Sequence, residues 1–139
     1  VHGIRVIDDY GHHPTEIRVT LDAARRYAGD GRLLVIFQPH RYSRTQAFMS
    51  EFASALSLAD DVTLLEVYAA SEKPIPGVSS EVISESMTSG KYIPNFVDAT
   101  DAMIEMAKPG DVIMTLGAGD VSSLGPIIVD GLTKRFASN

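Results

Sequence analysis

The sequence predicts an α/β fold: a doubly wound, mainly parallel sheet of five to six strands with helices on both faces, Rossmann-like. Three observations predict it. Short apolar, β-branched runs alternate along the chain with longer segments of helical period, the pattern of right-handed βαβ units. The run 32–37 is almost continuously apolar, as a strand covered on both faces is. Polar clusters with Gly or Pro follow three of the runs, where an open α/β sheet presents its ligand-binding edge.

The elements are expected in this order. Ile4-Arg5-Val6-Ile7 alternates and is β-branched, so it reads as a strand. Pro14 suits the first position of a helix, and Glu16 suits its first turn. Ile17, Leu21, Ala24 and Ala28 recur at helical spacing and should face inward, and Gly29-Asp30-Gly31 should stop that helix. A second strand follows at 32–37. Ser43-Arg44-Thr45-Gln46 has the form of a capping box, with Ser43 as N-cap. Phe48, Phe52 and Leu56, helped by Met49 and Ala53, give the next helix its inward stripe. Asp60-Asp61 reads as a turn before a third strand at 62–67.

The connection from Tyr68 to Ser80 carries Pro74, Pro76 and Gly77, and loops of that length are often functional. A short helix is expected at 81–87 with Val82, Ile83 and Met87 inward. Residues 92–97 make a weak strand, since Pro94 suits an edge or bulge. Asp98 is expected to cap a helix over 99–107, packed through Ala102, Met103 and Met106. Pro109-Gly110-Asp111 is a turn, 112–116 the last strand, and a final helix starts near Ser122 with Leu124, Ile127, Ile128 and Leu132 inward.

A chain of 139 residues is one ordinary domain, assigned to 1–139. Hydrophobic content of 45% and charged content of 22% are usual for a globular protein. No apolar run approaches the ~20 residues that span a bilayer, and no basic-then-apolar leader is visible. Cys is absent, so disulfides are excluded. A net charge of −6 disfavours general affinity for nucleic acid, so an anionic ligand would need a local cationic pocket. The chain begins at Val1 rather than Met and enters a strand almost at once, which reads as a piece of a longer protein.

Asp8-to-His13, Gln38-to-Arg44 and Gly117-to-Asp120 each follow a strand and should emerge at one edge of a parallel sheet. Arg41 and Arg44 are three apart, so on a first helical turn they share a face. Two guanidiniums there suit a carboxylate or phosphate, which their N–H forks meet bidentately; the other reading is a pair of solvated surface arginines. Asp8, Asp9, His12 and His13, with His40, invite a metal reading and hence a metal-dependent phosphoesterase. Against it, adjacent histidines rarely point the same way, and His13 can act as an N-cap with His12 as a local hydrogen-bond partner. Gly117-Ala118-Gly119 resembles a dinucleotide fingerprint only superficially, because Ser122 stands where the third glycine belongs. A tight turn with close backbone approach is the expectation there. There is no Walker-type phosphate loop, no Ser in a nucleophile elbow and no Cys. The three loops suit holding and orienting a ligand, which leaves a non-catalytic nucleotide- or anion-binding module as an alternative.

Asp8-Asp9-Tyr10-Gly11-His12-His13-Pro14-Thr15-Glu16, Phe37 to Thr45, Leu65 to Gly77, and Leu116-Gly117-Ala118-Gly119-Asp120 together closely resemble the C-terminal domain of the Mur ligases, over essentially the whole chain. The Tyr-Gly-His-His-Pro and His-Arg-Tyr-Ser-Arg forms are similar to the branch that adds L-alanine to UDP-N-acetylmuramate. The resemblance implies the third domain of a three-domain cytoplasmic enzyme of peptidoglycan synthesis, inactive as an isolated piece. Its partners would be L-alanine, UDP-N-acetylmuramate, ATP and the N-terminal and central domains, with neither nucleic acid nor membrane. Magnesium and the ATP phosphates would be held mainly by the central domain. By resemblance Arg41 and Arg44 would grip the alanine carboxylate. Tyr10, His12 and His40 would wall its pocket, and Asp9 would accept hydrogen bonds from the ATP ribose.

Overall fold

Every side chain of Leu33–Phe37 and of Val112–Leu116 is buried. Strands dry on both faces must lie inside a sheet sandwiched between helices. The computed structural model describes residues 2–137; Val1, where the reading as a piece of a longer protein begins, lies outside them. In chain order the elements are β1 (Arg5–Asp9), α1 (Pro14–Ala28), β2 (Leu33–Phe37), α2 (Tyr42–Leu56), β3 (Asp61–Leu64), α3 (Ser80–Glu85), β4 (Gly90–Tyr92), α4 (Phe96–Met106), β5 (Val112–Leu116), a 3-10 turn (Asp120–Ser123) and α5 (Leu124–Ala137). All five strands are parallel, in the order β1-β5-β2-β3-β4.

Alternation along β2 divides the core. Leu33, Val35 and Phe37 pack with Ile17 and Leu21 of α1, Phe52 and Leu56 of α2, and Ile83 of α3. Leu34 and Ile36 point the other way, to Met103 of α4 and Ile128 and Leu132 of α5. The expected doubly wound sheet is therefore present with five strands, and the inward stripe of α1 is buried as read. Among the described residues no helix is long and apolar enough to cross a membrane.

Several local expectations are corrected. Ser43 is not the N-cap of α2; Arg41 is, with no side-chain cap bond, and Ser43 turns to a distant loop. Residues 93–97 are not strand: β4 ends at Tyr92, and Asn95 caps α4 by accepting the Asp98 N–H at 2.8 Å. Asp98 thus sits inside the first turn. The third strand stops at Leu64. Val82 and Ile127 (52% exposed) face outward, because each helix presents a narrower apolar stripe than its composition offers.

Opposite the strand carboxyl ends, Arg32 grips Asp111. Its Nε and Nη2 donate to the two carboxylate oxygens at 3.1 and 2.7 Å, and Nη2 also reaches the Met106 carbonyl at 3.0 Å. Asp111 is 3% exposed and also accepts the Lys108 N–H at 2.8 Å. Burial pushes its carboxyl up, but the Arg32 and Lys108 hydrogen bonds and the Arg32 charge together outweigh this and hold it below the ordinary carboxylate range. A carboxyl depressed in the folded state stabilises fully above its unfolded value of about 3.9. That contribution is lost as pH falls through the lower, folded value. Asp111→Ala is expected to cost about 2–3 kcal/mol at neutral pH by urea denaturation, and the difference from the parent should shrink below about pH 4.

Candidate functional site

Leu116 of β5 pairs with Asp9 of β1 on one side and Phe37 of β2 on the other. The three strands therefore end level, and the loops 8–13, 38–44 and 117–120 leave from one rim. Backbone bonds tie them there: Gly117 N–H to the Asp9 carbonyl and Gln38 N–H to the Leu116 carbonyl, both 3.1 Å. A fourth loop, following β3, joins them. Tyr68 donates its N–H to the Pro39 carbonyl at 2.8 Å and accepts the Arg41 N–H at 2.7 Å.

Rings from three of these loops form a row. Tyr10 meets His12 edge-on at 5.4 Å between centroids, His12 lies 6.3 Å from His40, and His40 stacks on Tyr68 at 5.3 Å and 15°. Tyr10 is 70% exposed at the outer end. His12 Nδ1 lies 3.2 Å from the Tyr10 carbonyl. A carbonyl only accepts, so Nδ1 is the donor of this contact.

His13 turns away from the row. Its Nδ1 accepts the Thr15 N–H at 3.2 Å, and Glu16 accepts the His13 N–H at 3.0 Å, closing the start of α1. Of the two carboxylates, Asp8 accepts the Thr115 hydroxyl at 2.6 Å. Asp9 Oδ2 accepts the Gly11 N–H at 2.9 Å and the Thr20 hydroxyl at 3.5 Å, with Oδ1 left over among the described residues. The donors of the metal reading are thereby dispersed. Among the described residues no three His, Asp or Glu side chains gather as a metal would need, so the phosphoesterase reading lacks its donor set.

The arginine pair stands beside the row. Arg41 has φ +72°, unusual for a residue with a Cβ. Its backbone is fixed by Tyr68 and by the Thr45 N–H and hydroxyl on its carbonyl, at 3.1 and 2.7 Å. Its guanidinium makes no hydrogen bond or ion pair among the described residues. Arg44 Nη1 lies 3.4 Å from His40 Nδ1. Burial, then the charges of Arg44 and Arg41, hold His40 below the usual histidine range, so it is neutral at pH 7 with Nδ1 as acceptor. Two cations that make no hydrogen bond or ion pair with a carboxylate among the described residues therefore share this rim in a chain of net charge −6.

The glycine turn is the close approach expected of it. Gln38 is 6% exposed, and its Oε1 has no hydrogen-bond partner among the described residues. A Cβ on Gly119 would lie 2.8 Å from that oxygen and 2.9 Å from Cγ of Tyr68. A groove between α1 and α2, lined by Pro14, Thr15, Arg18, Ser50, Glu51 and Ser54, lies apart from these groups. Sequence reasoning brought together Tyr10, His12, His40, Arg41 and Arg44. It missed Tyr68 and Glu72 as members of the rim, although the length of their loop was a signal.

The fold and rim define a doubly wound α/β domain whose β1 and β5 loops gather beside the β2 loop that carries the paired arginines. The model of the Mur ligase, glutamate ligase domain matches residues 1–119, and the chain belongs to that family. It is 51% identical over 130 residues to a UDP-N-acetylmuramate--L-alanine ligase of Paenarthrobacter aurescens, covering 94% of this chain and 28% of that protein. To the protein of that name from Mycobacterium ulcerans it is 52% identical over 136 residues, covering 95% and 28%. Among solved structures, the UDP-N-acetylmuramate-alanine ligase of Thermotoga maritima superposes with a TM-score of 0.68 at 28% identity, over 98% of this chain and 27% of that one. The chain thus spans about 28% of the length of these curated relatives.

Gly119→Ala should push Tyr68 off His40 and strain the turn against Gln38. A loss of about 1–3 kcal/mol in urea denaturation is expected, with changed ring-proton NMR shifts at His40.

Proposed function

We propose that this chain is the C-terminal amino-acid- and nucleotide-ribose-binding domain of an ATP-dependent ligase that joins L-alanine to UDP-N-acetylmuramate for peptidoglycan precursors in the cytoplasm. The carrying observation is the Arg41/Arg44 pair, neither of whose guanidiniums is hydrogen-bonded to a carboxylate among the described residues, beside a neutral His40 on the shared rim. Two guanidinium forks are suited to one carboxylate. The neutral imidazole adds no charge that would repel the substrate's ammonium group. Tyr10, His12 and His40 wall the pocket. Asp9, with Oδ1 unused and Oδ2 anchored by Gly11, is suited to accept from a ribose hydroxyl.

In the proposed reaction, the lactyl carboxylate attacks the γ-phosphorus of ATP, giving an acyl phosphate and ADP. The amine of alanine attacks the acyl carbon, a tetrahedral intermediate forms, and phosphate leaves as the amide is made. Magnesium and the phosphates belong to a central domain, and the UDP-sugar to an N-terminal one. This domain's share is orientation: clamping alanine by its carboxylate aims the amine across the cleft, and closure keeps water from the acyl phosphate.

In the full-length enzyme, Arg41→Ala is expected to raise the KM for L-alanine by some tens-fold, since charge-assisted hydrogen bonds are worth about 1.5–3 kcal/mol each. An unchanged KM would remove Arg41 from this role. Asp9→Ala should shift the KM for ATP most; a shift confined to alanine would reassign it. The isolated chain should bind ATP weakly and hydrolyse none in response to alanine. Tight ATP binding by it alone would favour a non-catalytic nucleotide-binding module instead.

A further inference from the structure

We propose that Glu72, on the loop after β3, is a positioning residue that latches the start of α2 and so holds Arg41 and Arg44 ready for the substrate carboxylate; this rests on the reading of the arginine pair given above. The first N–H groups of a helix need acceptors. Arg41, at the N-cap, offers none from its side chain. The acceptor comes instead from a residue 29 positions on: Glu72 Oε1 takes the Ser43 N–H at 3.1 Å, and Oε2 takes the Ser43 hydroxyl at 2.6 Å. A carboxylate at this end also suits the helix dipole.

The same loop holds the preceding residues by their backbone, through the two Tyr68 bonds to Pro39 and Arg41 and the His40–Tyr68 stack. Both sides of this clasp carry residues with a Cβ at positive φ: Arg41 at +72° on one, Ala70 at +50° and Ser71 at +73° on the other. Such conformations persist where surrounding contacts over-determine them. The clasp therefore fixes a geometry that neither loop would hold alone.

The latch also explains why a carboxylate so near Arg41 does not neutralise it. Both Glu72 oxygens are committed to Ser43, and no ion pair joins Glu72 to Arg41 among the described residues. Hydrogen bonds from the Ser43 hydroxyl and N–H, followed by a smaller contribution from the Arg41 charge, hold its carboxyl below the ordinary range, so the charge is present at pH 7. Glu72 acts on Arg41 only through space, and the Arg41 guanidinium keeps its N–H donors for a ligand.

The test compares the full-length enzyme with its Glu72→Ala, Glu72→Gln and Arg41→Ala variants. Glu72→Ala should raise the KM for the amino acid about tenfold, leave the KM for ATP and kcat within about twofold, and leave the thermal midpoint essentially unchanged. Glu72→Gln keeps an oxygen for the Ser43 N–H and should restore most of the affinity. Adding Ser43→Ala to Glu72→Ala should cost nothing more, since one contact cannot be lost twice. If Arg41→Ala raises the amino-acid KM and Glu72→Ala does not, the latch is overturned and the arginine reading stands. Equal damage to both KM values and kcat, unrelieved by Gln, also overturns it as general loop disorder. If Arg41→Ala leaves the amino-acid KM unchanged, the reading beneath the latch fails, whatever Glu72 does.

Discussion

Leu116 is held between Asp9 and Phe37 by a register that the core does not allow to slip. β2 and β5 are buried on both faces. A shift of one residue along either would exchange the side chains facing α1 and α2 with those facing α4 and α5. It would also lift one loop about 3.3 Å against its neighbours. The side chains of the rim come together only because three strand ends lie level. Packing in the core thus sets the separation of groups at the sheet edge.

The electrostatics rest on that frame. Four carboxylates around this rim accept hydrogen bonds from hydroxyls and backbone N–H groups, with Asp9 Oδ1 left over among the described residues. Asp8 is turned to Thr115, Asp9 to Gly11 and Thr20, Glu16 to the start of α1 and Glu72 to Ser43. Each is held chiefly by a hydroxyl or backbone N–H, and none makes a direct ion pair with Arg41 or Arg44 among the described residues. The neutral state of His40 follows from the same crowding, because burial and two adjacent cations both oppose a third positive charge.

The architecture was legible because it follows from burial, and burial writes periodicity into sequence. The unbroken apolar run of β2 and the Ile17–Leu21–Ala24–Ala28 stripe identified their elements, and the polar loops after the strands identified the rim. Long-range polar contacts leave no such trace. Ser43 has the look of a local cap, and only the folded chain brings Glu72 to it. Asn95 was hidden because the Tyr92–Val97 stretch is apolar enough to pass for strand. His12 and His13 are adjacent in sequence and equal in kind, and they part company through hydrogen bonds to Tyr10 and Thr15 that composition does not specify. Tyr10, His12, His40, Arg41 and Arg44 could be grouped on one rim from the sequence, but the partner each one takes could not be read there.

The brevity of β4 has a bearing on solubility in crowded conditions. It offers three residues of main chain, Pro94 follows within two positions, and Lys91 is tied to Asp61 at 3.2 Å. A foreign strand seeking to extend the sheet there would find few free amides and a ring where the next donor should be. This edge of the sheet is thereby a poor template for cross-β growth.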